Sequence, residues 1–329
     1  MGIEIIGRAF SENIMDEFPL VEILMATYNG EKYIARQIDS ILAQTYNNWR
    51  LVVRDDGSTD RTSEILKDYS RLYPDKIYVT TNDGKRLGAC QNFSLLLSNS
   101  SSQYIMFSDQ DDVWLPGKIA SSLDVIVREE MACGKFNPIL VHSDLRVVDE
   151  KMEVLSDSFW KYQNLDPEQA AKFPRALIQG YVVGATCIFN KSLRDVACPI
   201  PKQAIMHDWW LVLVACAFGK ILHESGKNIL YRQHGHNVIG AKKWGRKYFA
   251  HILKVFLGGD LHRKLDSYFS QAATFLAIYR NRLTEKQLEI IAAFVSFPRL
   301  NFIERRLCFI KYGFYKSGFL RNVGLFLFI

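Results

Sequence analysis

Short apolar runs alternate with helix-period segments over the first 110 residues. Leu20 to Thr27 (LVEILMAT) has the length and composition of a buried strand. In Glu31 to Tyr46, which follows, Ile34, Ile38, Ile41 and Leu42 recur on one helical face. The pattern repeats with a strand at Arg50–Arg54, a helix after Asp60 carrying Ile65, Leu66 and Tyr69, and a strand at Ile77–Thr80. A helix from about Ala89 to Leu97 and a strand at Tyr104–Ser108 complete it. Strands alternating with helices of this length predict βαβ units and a parallel sheet covered on both faces.

Beyond residue 115 the alternation loosens. Pro116 suits the first turn of a helix running to about Met131, Ile139–His142 and Tyr181–Asn190 read as strands, and His207–Phe218 reads as a buried helix. The expected fold class is α/β, a mostly parallel mixed sheet flanked by helices and spanning residues 1–241. From Lys242 no strand pattern is evident. Helical segments at about 243–257, 261–280, 284–294 and 299–316 make residues 242–329 a C-terminal helical extension.

Charge sharpens this division. Residues 1–241 carry 25 Lys/Arg against 30 Asp/Glu, and residues 242–329 carry 16 against 5. With 48% hydrophobic and 23% charged residues the chain has a globular profile. Its longest apolar stretch, Trp209 to Phe218, is far short of the roughly 20 residues of a spanning helix. The N-terminus lacks a basic region followed by an apolar core, so a cytoplasmic protein is expected. The six cysteines form no C-x-x-C pair and read as reduced, mostly core residues.

Polar clusters follow the strands, where parallel sheets place ligands. These are Thr27-Tyr28-Asn29-Gly30, Asp55-Asp56-Gly57-Ser58, Asn82 to Arg86, and Asp109-Gln110-Asp111-Asp112. Three carboxylates in four residues repel one another unless a cation offsets them, and Mg²⁺ or Mn²⁺ bridging to a phosphate would do so. Asp56 could accept hydrogen bonds from a base or ribose, with Gly57 turning the backbone sharply beside it. Neither G-x-G-x-x-G nor G-x-x-x-x-G-K-[ST] occurs, which removes the usual support for dinucleotide or P-loop binding. Carboxylates, a metal and the Lys85/Arg86 loop would have to hold a nucleotide.

The run VEILMATYNGEKYIARQIDSILAQTYNNWRLVVRDDGSTDRT, followed by YIMFSDQDDVWLPGKI, resembles the N-terminal half of family 2 glycosyltransferases of the GT-A fold, over roughly residues 20–235. The resemblance implies that Thr27, Tyr28 and Asp56 surround the nucleoside and that Arg86 faces the diphosphate. It makes Asp109 the first carboxylate of a D-x-D motif and Asp111 the metal-binding one, with His234 of YRQHGHN as a further metal contact. Gly184 matches a small-residue loop under the donor sugar or acceptor. Asp208 takes the place of the family's catalytic base, although His207 stands where Glu is usual. The wording SDQDDVWLP, HDWWL and YRQHGHN resembles a bacterial rhamnosyltransferase branch, implying dTDP-L-rhamnose as donor and a polysaccharide of cell wall or capsule as product.

The expected activity is therefore an inverting, Mg²⁺- or Mn²⁺-dependent transfer to a hydroxyl of a lipid-linked precursor. A UDP-hexose donor, or a non-catalytic scaffold of an assembly complex, are the alternatives. The basic, aromatic-rich segments 242–257 and 299–321 suit the anionic inner face of the cell membrane, making the protein peripheral there. No recognition motif for nucleic acid accompanies that charge, so none is expected as partner.

Overall fold

The computed structural model describes residues 19–80, 82, 84–235 and 260–328, without the side chains of 260–262, 264 and 328. In chain order the first half runs β1 (Val21–Thr27), α1 (Ile34–Leu42), β2 (Trp49–Asp55), α2 (Thr62–Leu72), β3 (Ile77–Thr80), α3 (Ala89–Asn99), β4 (Tyr104–Ser108), β5 (Val113–Trp114) and α4 (Lys118–Cys133). There follow β6 (Ile139–Ser143), β7 (Arg146–Val148), β8 (Val154–Ser156), the short helices α5 (Phe159–Gln163) and α6 (Phe173–Ala176), β9 (Ile188–Asn190) and α7 (Lys191–Ala197). Then come α8 (His207–Phe218), β10 (Lys220–Glu224) and β11 (Ile229–Arg232). The described C-terminal helices are α9 (Asp260–Tyr279), α10 (Glu285–Ser296), α11 (Phe302–Tyr312) and α12 (Phe319–Phe328).

Seven strands form the main sheet in the order β10-β6-β9-β4-β1-β2-β3. All neighbours are parallel except β9, which runs antiparallel to both β4 and β6. Alternation along each strand explains why it is covered on both faces. Val21, Ile23 and Met25 of β1, with Tyr104 and Met106 of β4, enter a core shared with Ile34, Ile38 and Ile41 of α1 and Ile119 and Ile126 of α4. Leu24, Ile105 and Phe107 enter the opposite core with α3, α8 and the C-terminal helices.

α8 is apolar nearly all round and buried, as a helix at the centre of a core must be. Both its tryptophans are structural. The Trp209 indole donates to the Ala176 carbonyl and the Trp210 indole to the Ala197 carbonyl. Phe275 and Tyr279 of α9 pack on Trp210 and Phe218, which docks the C-terminal helices on α8.

A second sheet, β5-β11-β7-β8, braces the edge where the polar loops lie. It was not expected from sequence because its strands have two to four residues, too few to show a period. Two other expectations need correction. The strand expected over 181–190 is only Ile188–Asn190, because Gly184–Thr186 makes a 3₁₀ turn. The helix expected over 299–316 ends at Tyr312, where Gly313 adopts φ +71 and caps it, and α12 follows as a separate helix. The expected helix at 243–257 and the expected domain boundary at 241–242 lie outside the described residues. No described helix is long and apolar enough to cross a membrane.

Candidate active site

Because β1, β2 and β4 are parallel, Thr27, Asp55, Asp56 and the Asp109–Asp112 loop emerge at one edge of the sheet. The loops there are tied by side chains. The Gln110 amide closes a two-way clamp on Tyr28, accepting from its backbone N–H at 2.9 Å and donating to its carbonyl at 3.0 Å. Asp55 accepts from the Thr27 hydroxyl at 3.0 Å and from the Ser58 N–H at 2.9 Å. Gln110 carries no sequence signal of its own, because its partner Tyr28 lies 82 residues away.

Asp56 is buried and already engaged. Oδ1 accepts from Arg54 Nη1 at 3.0 Å and from the Leu87 N–H at 2.8 Å, and Oδ2 accepts from the Gly88 N–H at 2.8 Å. A carboxylate offers about four lone-pair sites, so room remains on Oδ2 for one more donor such as a base N–H. The same bonds hold the loop that carries Arg86. The exposed Arg86 guanidinium stacks 3.8 Å from the Tyr28 ring centroid, joining an aromatic surface to a cation at the mouth of the cleft.

The acidic loop has three distinct environments. Asp112 is fully buried and accepts from the Arg232 N–H at 3.2 Å; burial and the Asp111 and Asp109 charges push its pKa well above the carboxylate range. Burial, and then the carboxylates of Asp111 and Asp208, raise Asp109 to about 7. Asp111 meets His234, Oδ2 to Nε2 at 2.7 Å. Arg232 supports that pair by donating from Nε to the Asp111 carbonyl at 2.8 Å and from Nη1 to the Glu150 carbonyl at 3.0 Å.

Tyr33 completes this corner. Its ring stacks on His234 at 4.7 Å between centroids, the Arg232 guanidinium lies 4.8 Å from its centroid, and its hydroxyl donates to Glu150 Oε1 at 2.7 Å. Tyr33 carries no sequence signal, since it acts through residues distant in the chain.

Asp208 sits in the first turn of α8. Its Oδ2 accepts from the Gly184 N–H at 2.9 Å and its Oδ1 from its neighbour Trp209 at 2.6 Å. Burial raises its pKa to about 6 against the pull of those two backbone bonds. Gly184 sits in a tight place, since a Cβ there would lie 3.0 Å from His207 Nε2, closer than an ordinary contact, and 3.4 Å from Asp208 Oδ2. His207 is buried, stacked on Phe93 at 4.0 Å and edge-on to Phe107, and burial lowers its pKa to about 3. A neutral imidazole fits this aromatic niche, where an ionised glutamate would be expensive.

Among the described residues no three His, Cys, Asp or Glu side chains are gathered to enclose an ion. Asp111 and His234 nevertheless bring an oxygen and a nitrogen donor to one point, beside Asp109 in the same loop. The carboxylates of that set suit Mg²⁺ or Mn²⁺, which complete their shells with phosphate oxygens and water.

Residues 22–196 match the family model described as glycosyl transferase family 2. The dTDP-rhamnosyl transferase RfbG of Shigella flexneri is 30% identical over 230 residues, 66% of this chain and 74% of that one. The UDP-Glc:alpha-D-GlcNAc-diphosphoundecaprenol beta-1,3-glucosyltransferase WfgD of Escherichia coli is 34% identical over 118 residues, 36% of this chain and 45% of that one. Among solved structures, S. aureus TarS 1-349 in complex with UDP-GlcNAc aligns at a TM-score of 0.51 with 14% identity, covering 92% of this chain and 89% of that one.

Proposed function

The chain belongs to glycosyl transferase family 2, and from that premise we propose that it transfers L-rhamnose from dTDP-L-rhamnose, with inversion, to a hydroxyl of a lipid-linked polysaccharide precursor. The observation that carries the mechanism is Asp208, a carboxylate with a pKa raised to about 6 and held by two backbone N–H groups at the cleft. The likeness to RfbG, over 74% of that protein, supports the rhamnosyl donor.

Asp208 is the general base. It takes the acceptor hydroxyl proton as that oxygen attacks the anomeric carbon, and the bond to the nucleoside diphosphate breaks on the opposite face, inverting the centre. A base near pH 6 is ionised at neutral pH yet basic enough to accept that proton. Thr27, Tyr28 and Asp56 hold the nucleoside, Arg86 faces the diphosphate, Asp109 binds the sugar nucleotide beside them, and Gly184 leaves room under the donor sugar. Asp111 and His234, with Asp109 beside them, would hold Mg²⁺ or Mn²⁺, which neutralises charge on the departing diphosphate.

Release of nucleoside diphosphate from dTDP-, UDP- and GDP-sugars, measured with Mg²⁺, Mn²⁺ or chelator and bacterial lipid extract as acceptor, tests this reading. Metal-dependent turnover of dTDP-L-rhamnose is expected. The likeness to WfgD favours a UDP-hexose as the second reading, and turnover of a UDP-sugar alone would replace the rhamnosyl assignment. Absence of turnover and of nucleotide binding would leave a non-catalytic scaffold.

The lipid-linked acceptor places the work at the inner face of the cell membrane, with the protein cytoplasmic and peripheral. Residues 1–241 would form the catalytic domain and residues 242–329 the membrane-proximal one.

A further inference from the structure

Eight of the seventeen large apolar side chains exposed among the described residues fall between 302 and 327. On α11, Ile303, Leu307 and Ile310 follow the i, i+4, i+7 spacing of one stripe and are 66%, 62% and 55% exposed, while Cys308 and Phe309 face the core. On α12, Leu320, Val323 and Leu327 form a second stripe, with Arg321 and Leu325 buried opposite. Arg306 joins the two helices. Its guanidinium lies 3.3 Å from the Phe302 ring centroid and donates to the Phe302 carbonyl at 2.8 Å and the Leu327 carbonyl at 3.0 Å. The stretch 299–321 carries six Lys/Arg and only Glu304 as an acid, and of the six Arg321 is buried and Lys311 pairs with Glu289 of α10 at 3.1 Å.

We propose that this face of α11 and α12 docks on an anionic phospholipid surface, its stripes entering the boundary between headgroups and acyl chains while the basic side chains meet lipid phosphates. The inference deepens the membrane-side reading of the function and rests on it for its context, not for its geometry. Charge argues against a second copy as occupant. A two-fold contact would set the same patch against itself and bring two sets of Arg299, Arg305 and Arg306 together with one Glu304 from each copy, Lys311 being paired with Glu289.

The test uses the full chain and co-sedimentation with vesicles of phosphatidylethanolamine and phosphatidylglycerol, against vesicles of phosphatidylcholine alone. Binding to the anionic vesicles is expected to weaken as salt rises, and to fall at least about tenfold in the double variant Ile303→Gln/Leu307→Gln. Binding of dTDP and UDP, measured by calorimetry on the same preparations, should be unchanged by those exposed substitutions. It reports folding and the nucleotide site separately from docking, so failure of the glycosyl-transfer reading is seen there and not in the vesicle data. Unchanged vesicle binding in the double variant would overturn the proposal. So would equal, salt-independent binding to neutral vesicles, or a concentration-dependent dimer of the wild type that the two substitutions dissolve.

Discussion

Replacing Asp208 by asparagine separates chemistry from stability, and the two effects can be worked out from its contacts. A carboxyl with a pKa near 6 in the folded chain, against an ordinary value near 4, disfavours its ionised form by up to about 3 kcal/mol. Asp208 keeps part of its surface in solvent, so about half of that is a fairer figure. Asparagine removes the cost but meets the two backbone donors badly. Gly184 and Trp209 each donate to a different carboxylate oxygen, so the amide NH₂ must face one of them, at a loss of about 1–2 kcal/mol. The terms nearly cancel, and a shift in unfolding temperature of no more than about 2 °C is expected at neutral pH. The sign of the pH dependence follows from proton binding. Between about pH 4 and about pH 6 the folded wild type keeps a proton that the unfolded chain has lost, so this group lowers stability as pH rises through that window. The variant lacks that slope, and it loses relative stability as pH falls from about 6 to about 4. Transfer should drop on the order of 10²–10⁴-fold with nucleotide affinity unchanged, and the acidic limb of wild-type kcat/KM should lie near pH 6. Nucleoside diphosphate release, calorimetry with nucleotide and thermal unfolding at both ends of the window measure all of this. Transfer within about tenfold of wild type would refute Asp208 as the base.

Gly184→Ala should cost kcat more than stability, because the new Cβ presses on His207 Nε2, and a shift of His207 by a few tenths of an ångström carries the adjoining Asp208 with it; comparing kcat with the unfolding temperature checks it. Tyr33→Ala should weaken Mn²⁺ binding, read directly by electron paramagnetic resonance, because His234 loses its stacking partner, whereas Tyr33→Phe keeps the stack and should bind nearly as wild type. Gly30→Ala should weaken nucleotide binding with little loss of kcat at saturation, because its Cβ would fall 2.4 Å from Gln110 Oε1 and push that amide off Tyr28.

What the sequence revealed depended on how local each signal is. β1 and β4 are legible because side chains of both their faces are buried and turn signals bound them, and His207–Phe218 because its apolar run is continuous. The Asp-rich loops are legible because their chemistry is carried by adjacent residues at strand ends. The second sheet is not, since β11 pairs with Leu230↔Val113 and Tyr231↔Val147 across gaps of more than eighty residues. The Asp111–His234 hydrogen bond has no signature in the sequence, because no spacing relates residues 123 positions apart. The solvent-facing stripe of α11 was hidden for another reason. Phe302 and Phe309 are alike in composition, and only the packing of Phe309 on Tyr315 and Phe326 decides which faces inward.

The ties between loops also bear on how the site binds. Gln110 on Tyr28, Asp55 on Thr27 and Ser58, Asn29 on Thr59, and Asp56 on Leu87 and Gly88 all tie together the loops at this edge of the sheet. Ordering a flexible loop costs free energy on binding, so a cleft fastened beforehand leaves more of the interaction energy to affinity. The carboxylates work in the opposite direction. Burial raises the pKa values of Asp109, Asp112 and Asp208, and neighbouring carboxylates add to it at Asp109 and Asp112. The Asp56 side of the proposed site is thus tied by hydrogen bonds, while the acidic side is electrostatically crowded in a way that a bound cation would relieve. That asymmetry predicts strongly coupled binding, in which nucleotide and divalent ion each raise the other's affinity by the same factor.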